Sequence, residues 1–110
     1  MVQPLFKYLK VDGYDNFYTN IGNTKGPDIL AENGDSRLLI EVKGDSSAIL
    51  VDWHTLLGQI LDRMTDETMA YAIAVSQKYE RLVSRFPSHR KGKLNLTIYI
   101  VKDNGEVLKS

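Results

Sequence analysis

The chain has 110 residues, 43% of them hydrophobic and 25% charged, which suits one globular domain with a real core, spanning residues 1–110. It has no cysteine, which excludes a disulfide framework and a thiolate zinc centre. Fourteen basic residues offset fourteen acidic ones, so any attraction for a polyanion has to come from a local surface.

Residues 4–11 read as a short helix, with Leu5, Phe6 and Leu9 sharing a face, and Asp12-Gly13 breaks it. Residues 14–21 carry aromatic and polar side chains and are expected to form a first strand. Gly26-Pro27 introduces a short strand that begins at Asp28. Asn33-Gly34 is a hairpin signal, because both residue types tolerate positive φ. Residues 37–43 form the returning strand, apolar at Leu38, Leu39, Ile40 and Val42. Trp53, Leu56, Leu57, Ile60, Leu61 and Met64 fall at helical spacing, with Asp52 at the expected N-cap. Residues 69–75 read as a buried strand, and Tyr79, Leu82, Val83 and Phe86 as a second amphipathic helix limited by Pro87. Residues 94–101 alternate and are rich in β-branched side chains, so they form a further strand, followed by a turn at 103–105. This order predicts an α/β fold, with a mixed sheet of four or five strands flanked by helices on both faces.

Chemistry concentrates at Asp28, Glu41 and Lys43. Glu41 and Lys43 lie two apart in a strand and so project from one face. Pairing through the hairpin brings the start of the Asp28 strand beside them. Two hard carboxylate oxygens suit Mg²⁺, with Mn²⁺ as substitute, and the backbone carbonyl of Val42 can add a ligand. Such a metal polarises a phosphodiester and lowers the pKa of a bound water. A lysine beside it orients that water or stabilises transition-state charge. Charges that interrupt an apolar strand are costly unless they are paired or functional.

Gly26-Pro27-Asp28 followed by Ile40-Glu41-Val42-Lys43-Gly44 resembles the signature of the PD-(D/E)XK nucleases. That superfamily includes restriction endonucleases and Holliday-junction resolvases. The resemblance implies a restriction-endonuclease-like core and metal-dependent cleavage of DNA, branched or single-stranded DNA included. It implies Asp28 and Glu41 as metal ligands, Lys43 as a catalytic residue, and an assisting Gln59 on the helix after the Glu41 strand. By helical periodicity Arg63 lies one turn beyond Gln59 on the same edge, within reach of phosphate. The chain departs from the pattern at its first helix: many members contribute an acid there, and no Glu precedes Glu32. A catalytically silent module that binds nucleic acid or a protein partner is the alternative.

Arg81 and Arg85, one helical turn apart, and the run His89-Arg90-Lys91-Gly92-Lys93 offer phosphate-backbone contacts through Arg81, Arg85, Arg90, Lys91 and Lys93. His54 reads as structural or exposed, and His89 as part of a basic loop. A homodimer follows as an expectation, since a duplex presents two strands. No run approaches the roughly 20 apolar residues of a membrane span, and an intracellular, cytoplasmic location is expected by default.

Overall fold

The computed structural model describes residues 2–19, 28–65 and 69–110. Helix α1 (Val2–Val11) buries Leu5 and Leu9. Strands β1 (Asn16–Thr19), β2 (Ile29–Asn33) and β3 (Ser36–Lys43) follow as an antiparallel meander. Helix α2 (Ile49–Arg63) crosses to β4 (Ala70–Ser76), which runs parallel to β3. A 3-10 turn (Gln77–Tyr79), α3 (Glu80–Ser84) and α4 (Ser88–Leu94) lead to β5 (Leu96–Val101), parallel to β4. Strand β6 (Val107–Lys109) returns antiparallel to β5. The sheet is β1-β2-β3-β4-β5-β6, six strands where four or five were expected. The additional strand is the short segment after the turn at 103–105, too brief to carry a periodic signal of its own.

Pleat alternation divides the core. Leu38 and Ile40 join Leu5 and Leu9 of α1 on one face. Leu39 joins Trp53, Leu56 and Ile60 of α2 on the other, with Tyr79 and Val83. Parallel β4 is covered on both sides, which explains its nearly unbroken apolar sequence.

Several boundaries differ from the sequence reading. Gly26-Pro27 and the end of the expected first strand, Asn20 and Ile21, lie outside the described residues. The hairpin loop is Gly34-Asp35 rather than Asn33-Gly34: Asn33 pairs with Ser36, and Gly34 takes φ +58°. Asn33 stays at the strand end, where its side-chain amide packs against Gly13, itself at φ +107°.

Helix α2 starts one turn before Asp52, with Ala48 at its N-cap and no side chain bonded there. The apolar residues Ile49, Leu50 and Val51 make its first turn, and Leu50, Val51 and Leu61 remain exposed. Leu61 therefore falls outside the buried stripe. The basic run is helix α4 rather than a loop: Pro87 leads in with extended backbone, and Asn95 at φ 52° closes it. Proline favours that entry because it fixes φ and lacks the N–H that a helix start leaves unpaired.

Candidate functional site

The two-residue loop at Gly34-Asp35 sets the register that builds the site. Ile29 pairs with Ile40, so one pair further along the same ladder sets Asp28 opposite Glu41. A loop at Asn33-Gly34 would have put Asp28 opposite Leu39 instead. Such a two-residue slip keeps every side chain on its face and moves only its neighbours along the strand.

Asp28 stands just before β2, and its Oδ2 accepts the backbone N–H of Val42 at 2.7 Å. The carboxylate thus extends the ladder past the last paired residue, Ile29. Glu41, on the α2 face of β3, is 3% exposed. Its Oε1 accepts from Arg63 Nε at 3.0 Å, across the crossover from the last turn of α2. Burial pushes the Glu41 carboxyl above its ordinary value, the Arg63 hydrogen bond opposes this, and the neighbouring Asp28 charge adds to the rise.

Lys43 does not turn to this pair. Its Nζ lies 3.8 Å from Asp52 Oδ2, and the Ser46 hydroxyl donates to that same oxygen. Ser46 Oγ in turn accepts the N–H of Ala48 at 3.0 Å, so Ser46 and Asp52 together tie down the start of α2. Asp52, Gln59 and Arg63 are spaced by seven and four residues along α2, which puts them on one edge, the edge bordering β3. Gln59 is on that edge, but it is exposed and bonds to neither carboxylate.

The donor set fits a hard divalent cation. Asp28, Glu41 and the Val42 carbonyl offer oxygens from adjacent strands, and Mg²⁺ commonly takes one or two carboxylates and keeps waters. Among the described residues, no group of three or more His, Asp or Glu side chains could hold a metal. Helix α1 brings a neutral side chain, Gln3, to the cavity beside Asp28; Phe6, Thr19, Ile29 and Val42 also line it, and its volume is about 510 Å³. The sequence reading gave Asp52 only an N-cap role and gave none to Gln3 or Ser46, because nothing local marks a side chain whose partner lies on another element.

The basic residues fall elsewhere. Helix α4 runs directly into the N-terminal end of β5, whereas Asp28 sits toward the C-terminal end of β3. Lys91 Nζ bonds Ser110 Oγ at 2.8 Å, and Arg90, Lys93, Arg81 and Arg85 are exposed. The α4 cations Arg90, Lys91 and Lys93 therefore lie at the opposite end of the parallel strands from the carboxylates, whereas Arg81 lies in α3 and Arg85 at its C-cap, after the C-terminal end of β4. His54 is exposed on α2, and His89 is exposed in α4.

One consequence concerns pH. A carboxyl raised in the folded state holds its proton to higher pH than in the unfolded chain, so its stabilising contribution is present in acid. That contribution is lost as pH rises from the ordinary value of 4.5 through the raised one. Glu41→Gln should therefore compare better with wild type near neutrality than in acid. Urea unfolding of both proteins at about pH 4 and about pH 7 measures this, and a difference independent of pH would contradict the burial of Glu41.

No family model and no curated protein matches the chain. Two solved structures do. An XisH family protein from Nostoc punctiforme is 20% identical with a TM-score of 0.63, covering 96% of this chain and 94% of that one. An fdxN element excision controlling factor protein from Anabaena variabilis is 21% identical with a TM-score of 0.59, covering 96% and 93%. No helix among the described residues is long and apolar enough to cross a membrane. With a mixed six-stranded sheet between α1 and α2, and this likeness along nearly its whole length, the chain has the same α/β fold as these two structures.

Proposed function

We propose that the chain is a metal-dependent nuclease of the PD-(D/E)XK type that cleaves DNA phosphodiester bonds at the Asp28–Glu41 pair. The observation that carries this reading is the register, which sets Asp28 opposite Glu41 with its carboxylate bonded to the Val42 N–H. Mg²⁺ or Mn²⁺, when bound, supplies charge neutralisation and an activated water. Asp28, Glu41 and the Val42 carbonyl would hold it. Lys43, tethered by Asp52 at the mouth of the crossover, meets the phosphate or its attacking water when that tether opens. Gln59 assists from the α2 edge. The exposed Arg90 and Lys93, with Lys91, guide the DNA backbone at the far end of the sheet, and the exposed Arg81 and Arg85 at α3 add further backbone contacts. A two-fold dimer supplies one site per strand. The excision control named for one structural neighbour is compatible with a chain that acts on DNA.

A second reading has its own support. The contact of Arg63 with Glu41, that of Lys43 with Asp52, and the neutral Gln3 all favour a silent module that binds nucleic acid or a protein partner.

Incubation with supercoiled, linear, single-stranded and branched DNA, in Mg²⁺, Mn²⁺ or chelator, separates the two. Cleavage that needs metal and falls about 100-fold or more in Glu41→Ala and Lys43→Ala supports the nuclease. Cleavage that persists in both variants rejects the site. No cleavage of any substrate, with no metal bound in calorimetry, leaves the silent module.

A further inference from the structure

We propose that Arg63 occupies the cation position at the Asp28–Glu41 pair and competes with the divalent metal for it. This inference rests on the metal-site reading above and adds its regulation.

Glu41 is 3% exposed with the Asp28 carboxylate opposite it, and a buried carboxylate is costly unless a cation pairs with it. Lys43 is directed to Asp52, and the hydrogen bond to Glu41 comes from Arg63. The guanidinium presents a fixed fork of N–H donors with its charge, so it serves as the counter-ion to Glu41. A divalent ion bound at Glu41 at about 2.1 Å would face that guanidinium across the same carboxylate. Two cations repel there, and metal entry therefore requires Arg63 to leave. Its side chain is 33% exposed, which gives it a route outward. A phosphate oxygen pair is a good acceptor for the displaced fork of N–H groups. Metal and phosphodiester together thus replace what Arg63 supplies alone, and the metal by itself binds weakly against that competition.

The test is Mn²⁺ binding to the full chain at one mildly alkaline pH, read from the electron paramagnetic resonance signal of free Mn²⁺. It is run on wild type, Arg63→Gln, Arg63→Lys and Glu41→Gln, with thermal unfolding of each. Losing one charge-assisted bond should tighten Mn²⁺ binding in Arg63→Gln by about 10–100-fold. Arg63→Lys, which keeps the charge, should remain near wild type, and Glu41→Gln should bind little. If Arg63→Gln is unfolded alone, folding on addition of Mn²⁺ supports the proposal, and a chain that stays unfolded at saturating Mn²⁺ overturns it. Wild type that binds through Glu41, with Arg63→Gln no tighter, overturns the competition and leaves the metal site standing. No Mn²⁺ bound by wild type or Arg63→Gln removes the metal site itself, and the competition with it.

Discussion

Truncating Ile73 to alanine is expected to cost about 3–4 kcal/mol of folding stability, a large share of the roughly 5–15 kcal/mol that holds a domain of this kind together. Ile73 is wholly buried at the middle of β4, between Glu41 on β3 and Ile98 on β5. It belongs to the core that α2 closes with Leu56 and Ile60. A side chain held by three elements leaves a cavity that none of them fills by a small shift, so the cavity cost adds to the lost transfer energy. Urea unfolding measures it, with the midpoint lowered and the slope unchanged. A loss below about 1 kcal/mol would mean that β4 is not the closed centre of the sheet. The effect extends to the site, because β4 is the parallel neighbour against which β3 holds Glu41.

Asp28 offers the sharper comparison, since it is both a strand-end acceptor and a proposed metal ligand. Asp28→Ala removes the acceptor from the Val42 N–H and should cost about 1–3 kcal/mol, the penalty for a partly buried donor left unpaired. Asp28→Asn retains a carbonyl oxygen for that bond, so its stability should fall by less than about 1 kcal/mol. The amide is a poor ligand for a hard cation, and it also withdraws the negative charge beside Glu41. Divalent affinity should therefore drop in both variants by about 100-fold, while stability separates them. Calorimetric metal titration and thermal unfolding of the pair provide the measurement. If Asp28→Asn behaves as wild type in both, Asp28 only terminates a strand.

Much of the fold was legible because its signals are local. The apolar run in residues 37–43, helical spacing from Trp53 to Met64, and β-branched density in β5 each name an element without reference to any other. The errors fell where the deciding contact is remote. Asn33 stays in its strand, paired with Ser36 and with its side-chain amide close to Gly13, and the hairpin register moves with it. Asp52 resembles an N-cap, yet α2 begins a turn earlier because Ser46, Lys43 and Asp52 secure that end from the side. The basic run became α4 because the chain from α3 has to return to the bottom of β5, and Pro87 and Asn95 permit a helix between them.

The sequence by itself determined that Glu41 and Lys43 share a strand face, that Asp28 leads the strand before them, and that Gln59 and Arg63 share a helix edge. These follow from backbone periods of 2 and 3.6, which need only neighbours in the chain. Tertiary structure alone decided which charges meet: Glu41 with Arg63, Lys43 with Asp52, and the α4 cations with the opposite end of the sheet. Those pairings depend on how α2 lies across β3 and on the register of the β2–β3 hairpin. A buried carboxylate takes the cation that the packing delivers, because leaving it unpaired costs more than any local preference can recover.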